Sequence, residues 1–293
     1  MTTARPGTVR VARGVCFTLL VGLTLVVFRT PLSLLLHVAM EREEYSHIVL
    51  IPLISVFLLV LDRKRVFAVV GSAWGSGIAL LVAGGLLYAL GRRYAAPPTE
   101  NDRLAIAILS LVLIWMGGFL LCYGVRAFRG GLFGLLLLIL IVPIPDAVLE
   151  RVILWLQMGS TEVSYAMFEA LSVPVYRTGF VFALPGVTIE VAKECSGIRS
   201  SLALLITTLL AGHLFLRSGW GKAALMLAAL PLLVVKNGIR IVTLSLLSIY
   251  VDPSFLTGRL HQEGGIVFFL LALVILSPVL LWLQKSERIG RHS

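Results

Sequence analysis

Residues 104–122 read LAIAILSLVLIWMGGFLLC, a stretch without one Asp, Glu, Lys or Arg. A helix rises about 1.5 Å per residue, so nineteen residues cover about 28 Å, close to the ~30 Å hydrocarbon core of a bilayer. Runs of the same kind lie at roughly 13–29, 47–61, 74–91, 131–145, 196–216, 222–249 and 264–284. They are continuous rather than alternating, so spanning helices fit and outer-membrane strands do not. The runs at 47–61 and 131–145 are short for a full crossing, so their neighbours must extend them or they insert at an angle. Residues 31–40, apolar after Pro31, suit an interfacial piece.

Composition agrees with that reading. Of 293 residues, 58% are hydrophobic and 14% charged, with a mean hydropathy of +0.98. A soluble domain is nearer half apolar and a quarter charged, and disorder needs low hydrophobicity. With 27 Gly and 3 Cys, collagen-like and disulfide-scaffold readings also fail. The expected fold is an all-α polytopic membrane protein of about eight transmembrane helices, one integral-membrane domain over residues 1–293.

The net charge of +10 is spread in short clusters between the apolar runs, which reads as topology rather than nucleic-acid binding. With the N-terminus inside, the inner segments carry Arg5, Arg10 and Arg13; Arg63, Lys64 and Arg65; Arg126 and Arg129; Arg217 and Lys222; and Lys285, Arg288 and Arg291. The outer segments hold nearly all the acids, from Glu41, Glu43 and Glu44 to Asp252 and Glu263. Both termini are therefore expected in the cytoplasm, and the N-terminal run as an uncleaved first span. One outer loop breaks the pattern: 92–103 carries Arg92, Arg93 and Arg103.

The segment 146–194 is the longest between spans. Gln157, Ser160, Thr161 and Ser164 fall at i, i+3, i+4 and i+7, one polar stripe on an otherwise apolar helix. A helix lying on the bilayer and a helix lining a groove both fit that pattern. Pro185-Gly186 predicts a turn between strands Phe180–Leu184 and Val187–Val191, a hairpin on the outer face.

Three polar clusters interrupt the apolar chain, all assigned to the outer side: 193–201 around Cys195, 236–240 inside the seventh run, and 260–265 around His261. Ionisable groups at membrane depth are costly, so each is a functional hypothesis. Cys16 and Cys122 sit in apolar helices, whereas Cys195 stands among Glu194, Ser196 and Arg199. The three cysteines have no metal spacing. Placed in the first turn of a helix, with Arg199 one turn on, Cys195 would have a thiol biased toward thiolate. Asn237 and Arg240, at i and i+3, face the bundle together. Cys195, Arg240 and His261 supply a nucleophile, a cationic oxyanion stabiliser and an acid/base, the minimum set for acyl transfer through a thioester. Packed-cysteine, structural ion-pair and plain loop-histidine readings remain open beside it. Tyr45-Ser46-His47 opens the second run, as an interfacial anchor or as a border of the same site.

Glu194-Cys195-Ser196-Gly197-Ile198-Arg199, Asn237-Gly238-Ile239-Arg240 and the downstream His261 resemble the exosortase/archaeosortase family of membrane proteins. Val142-Pro143 with Asp146, Pro174 to Gly179 and Tyr45-Ser46-His47 resemble further family features, over about residues 40–275. The resemblance implies a cysteine transpeptidase or protease of the cytoplasmic membrane, with Cys195 as nucleophile, Arg240 as oxyanion or thiolate stabiliser and His261 as acid/base. It implies membrane-anchored substrates bearing a short sorting motif (PEP-type in many members), one transmembrane helix and a basic tail. No cofactor or metal is implied. The catalytic core is expected over 195–270, with the short form lacking a soluble C-terminal domain. Two other classes fit the composition: a transporter lined by Arg240 and the polar stripe, and a lipid or glycosyl transferase that does not use Cys195.

Overall fold

The computed structural model describes residues 6–93, 99–256 and 265–289. The chain forms two compact units, residues 1–148 and 149–293. Among the described residues, six helices are long and apolar enough to cross a membrane. Two bent helix pairs bring the number to eight if each pair is one span. The chain is thus a helical polytopic membrane protein with one small sheet.

In the first unit, α1 (Pro6–Val27) and α2 (Arg29–Glu41) meet at a bend of 75°. The apolar 31–40 segment is therefore a helix angled away from the first span. A 3-10 segment, Glu43–Val49, leads into α3 (Leu50–Leu61), and a short α4 (Arg63–Val66) carries the basic cluster. Helices α5 (Trp74–Arg93) and α6 (Glu100–Gly130) pack along their lengths. Thr99 caps α6, its hydroxyl accepting the Asp102 N–H at 3.1 Å, which satisfies one orphan donor of the first turn. Glycines let the two backbones close on each other. A Cβ at Gly84 would lie 2.8 Å from the Ser110 carbonyl oxygen, and one at Gly117 would lie 2.9 Å from the Gly77 carbonyl oxygen. Close approach through small residues is the usual means of helix association in lipid. Gly124, at φ 82°, interrupts α6, and there Gly71 donates its N–H to the Tyr123 carbonyl.

The short fifth run is α7 (Leu132–Leu137) plus a 3-10 turn, Leu138–Ile141. Its exit is held by polar bonds. Asn101 Nδ2 donates to the Ile144 carbonyl and to the Asp146 carboxylate, each at 2.8 Å, and Tyr45 donates its hydroxyl to the same carbonyl.

The second unit takes in α8 (Asp146–Ala170) from Leu149 onward, strands β1 (Tyr176–Thr178), β2 (Val181–Leu184) and β3 (Val187–Glu190), a 3-10 turn Lys193–Ser196, α9 (Ile198–Phe215), α10 (Gly219–Tyr250) and α11 (Gly265–Ile289). The expected hairpin is present as β2–β3 around Pro185-Gly186. Its antiparallel partner β1, with Arg177 opposite Phe182, is an addition to the sequence reading. Phe168 of α8, Phe182 of β2, Val191 and Val242 of α10 form the buried cluster that pins this sheet to the helices. The α8–α10 crossing is again set by glycines: a Cβ at Gly159 would meet Val234 at 2.9 Å, and one at Gly238 would meet Val163 at 2.6 Å.

Candidate functional site

The polar stripe of α8 is inside the protein. Gln157, Ser160, Thr161 and Ser164 are all buried, which favours the groove-lining reading over a helix lying on the bilayer. Two of the four reach the segment around Cys195 or its clamp. Gln157 Nε2 donates to the Val191 carbonyl at 2.5 Å, fixing the chain as it leaves β3. Ser160 Oγ accepts from Asn237 Nδ2 at 3.0 Å.

Asn237 is the hub of the arrangement. It is 1% exposed, and its Nδ2 also donates to the Cys195 carbonyl at 2.9 Å. The amide therefore ties α8, α10 and the cysteine turn together. Its Oδ1 finds no hydrogen-bond partner among the described residues, and neither do the buried hydroxyls of Ser196 and Ser201.

The turn itself departs from the sequence expectation. Cys195 is not in the first turn of α9. It lies in the 3-10 turn Lys193–Ser196, and α9 begins at Ile198. Gly197 separates the two in the left-handed region at φ 72°, a conformation in which other residues are strained. A Cβ there would also lie 2.7 Å from Asn237 Oδ1. Glycine is thus required twice, by torsion and by space. The break removes the simple one-turn relation between Cys195 and Arg199, and Arg199 is exposed. Glu194 shares the 3-10 turn by its backbone; its side chain lies outside the described part of the structure.

Cys195 and Arg240 come together. Both line a small pocket of about 30 Å³ whose other walls are Ile189, Glu190 and Val191 of the hairpin, Ile241, Leu244 and Ser245 of α10, and Leu256. The hairpin therefore forms one wall of the cysteine pocket.

Lys236 is the residue whose role the sequence did not reveal. It sits one turn before Arg240 on α10, is 2% exposed, and donates from Nζ to Ser200 Oγ at 2.6 Å. Ser200 Oγ in turn donates to the Gly197 carbonyl at 3.1 Å. The signal was a lysine in mid-span; the partner, 36 positions away, carried none. Lys236 and Arg240 stand one turn apart on the same helix, an arrangement unfavourable when both are charged.

His47, in the 3-10 segment Glu43–Val49, belongs to the first unit, where its Nε2 lies 3.2 Å from the carbonyl of Leu140 in the 3-10 turn Leu138–Ile141. His261 lies outside the described residues. Among the described residues no group of His, Cys, Asp or Glu is placed to hold a metal ion.

A family model described as transmembrane exosortase matches residues 37–277. The chain belongs to the exosortase family. The match takes in the second bent pair, the sheet, the Cys195 turn and α10, so every element of the pocket lies within the exosortase region. Membership supports a multi-pass membrane sorting enzyme of the transpeptidase kind in general terms. No curated protein and no solved structure matches the chain.

Proposed function

We propose that this exosortase is a cysteine transpeptidase or peptidase that cleaves C-terminal sorting signals of exported proteins at the outer face of the cytoplasmic membrane. The observation that carries it is the shared pocket: Cys195 and Arg240, from different elements, line one cavity walled by the hairpin. The substrate helix packs in the bilayer with its basic tail on the side of the Arg63–Arg65 cluster, and both termini of the enzyme lie on that cytoplasmic side.

The thiolate of Cys195 attacks the scissile carbonyl carbon, and the electron pair moves onto oxygen, where the Arg240 guanidinium stabilises it. Collapse expels the amine, which takes its proton from His261; His261 holds the proton that left the thiol. The acyl group stays on sulfur as a thioester until an amine or water resolves it. Leu256 lines the pocket, and His261 follows it by five positions in the sequence. Substrates of PEP type follow from the family resemblance.

The test is co-expression with a protein bearing a motif, a transmembrane helix and a basic tail, followed by mass spectrometry of the enzyme. The expected result is a thiol-labile adduct on Cys195 and no processing by Cys195→Ala. Normal processing by Cys195→Ala would sink the cysteine mechanism and favour the transferase reading.

A further inference from the structure

The three arginines of the 92–103 loop run against the charge pattern of the other loops, and the structure puts two of them to use. Arg92 and Arg103 line a pocket of about 410 Å³ in the first unit, together with Glu100. Its apolar side is made by Pro31 and Leu34 of α2 and by Ile106 and Ala107 of α6. The volume is in the range of ordinary ligand sites.

The walls are well fixed. Phe28 at the α1–α2 bend stacks on Tyr88 with ring centroids 4.4 Å apart, and the Arg92 guanidinium sits 5.8 Å over the same tyrosine ring. Gly91 lets α5 close on α6, since a Cβ there would fall 2.8 Å from Ile106 Cγ2. Neither guanidinium is in an ion pair among the described residues. The site also lies at the N-terminal end of α6. The Arg63–Arg65 cluster packs against the other end, where a Cβ at Gly130 would lie 3.1 Å from Val66 Cα. Both ends of one helix pair are therefore basic, and a topology bias accounts for only one of them.

We propose that this pocket binds one anionic phospholipid of the phosphatidylglycerol type. Arg92 and Arg103 hold the phosphodiester, and the upper part of an acyl chain lies along Leu34, Ile106 and Ala107. Guanidinium forks suit phosphate oxygens, and basic pockets between membrane helices take lipid head groups. Glu100 on the same rim leaves a net charge of about +1. That matches a phosphodiester monoanion, and it disfavours both a doubly charged free phosphate and a net-neutral lipid.

The full chain, purified in detergent, is incubated with phosphatidylglycerol or phosphatidylcholine, and retained lipid is counted by native mass spectrometry. The expected result is one retained phosphatidylglycerol per chain, with little phosphatidylcholine. Arg92→Gln with Arg103→Gln should weaken retention about thirtyfold, two charges' worth near a lipid surface. Ala107→Leu, which narrows the apolar side and keeps both guanidiniums, should weaken it as well. Arg63→Gln with Arg65→Gln, at the other end of the helix pair, should not. Equal retention of the two lipids, full retention by the double variant or by Ala107→Leu, or displacement by millimolar inorganic phosphate would each overturn the proposal.

Discussion

Two helix crossings in this protein begin from the same device and end in different chemistry. In the α5–α6 pair, glycines at 77, 84, 91 and 117 bring the backbones together, and the space is filled by Leu121, Ile114, Ile106 and Leu80. In the α8–α10 pair, Gly159 and Gly238 make room for Val234 and Val163 of the facing helix, but the neighbouring positions hold Ser160, Ser164, Lys236 and Asn237, all buried. Lipid supplies no hydrophobic force between helices, so close packing alone serves a purely structural contact. Burying a lysine and an asparagine adds desolvation cost that packing does not require. The second crossing is therefore built to hold the Cys195 turn, and the first to hold the fold.

That contrast is open to mutation. The largest effect is expected at Arg240: Arg240→Lys should lower processing by about 10²–10³, the usual loss for an oxyanion donor, since an ammonium cannot replace the guanidinium fork. Expression and thermal midpoint should stay near wild type, and a wild-type rate would remove Arg240 from that role. Next comes Asn237→Leu, which leaves Ser160 Oγ and the Cys195 carbonyl without their donor. Unsatisfied buried groups cost about 1–3 kcal/mol each. Turnover should fall at least tenfold, and labelling of Cys195 by a small thiol reagent should change rate, because the turn loses its clamp.

The α5–α6 contact should behave in the opposite way. Gly84→Val forces a side chain against the Ser110 carbonyl and Ile114, and overpacking of this kind costs about 1–3 kcal/mol. The yield of folded protein and its midpoint in detergent should drop, while the surviving fraction keeps its rate per molecule. A loss of rate without a loss of stability would erase the distinction between the two crossings. The smallest effect is expected at Glu162, on the exposed side of α8, where its carboxylate accepts from Arg177 Nη2 at 2.7 Å. Exposed ion pairs contribute little, so Glu162→Gln should leave both processing and midpoint unchanged in parallel assays.

The helices were readable because membrane spans announce themselves by uninterrupted apolar length, a local property. The hairpin was readable from Pro185-Gly186 for the same reason. Strand β1 was not: Tyr176–Thr178 is too short to show alternation, and it exists only because β2 lies beside it. The stripe on α8 was visible as periodicity, but which way it faced depended on Asn237 and Val191, far along the chain. The sequence places Cys195 one element too far along, because nothing local to Gly197 marks the break before α9. Asn237, 40 positions on, leaves no room there for a side chain, a constraint between distant residues. Pairing Cys195 with Arg240 was legible as chemistry, whereas the serine that holds Lys236 was not.

The clamp on Cys195 has a consequence for the order of synthesis. Asn237 follows the cysteine by 42 residues. At about 5–20 residues per second, a ribosome needs about 2–8 seconds to add them. During that interval the residues of the hairpin and the cysteine turn have been joined to the chain, but the helix that ties down their backbone has not yet been made. Cys195 therefore leaves the ribosome unclamped, and its turn locks only when α10 takes its place against α8, late in translation.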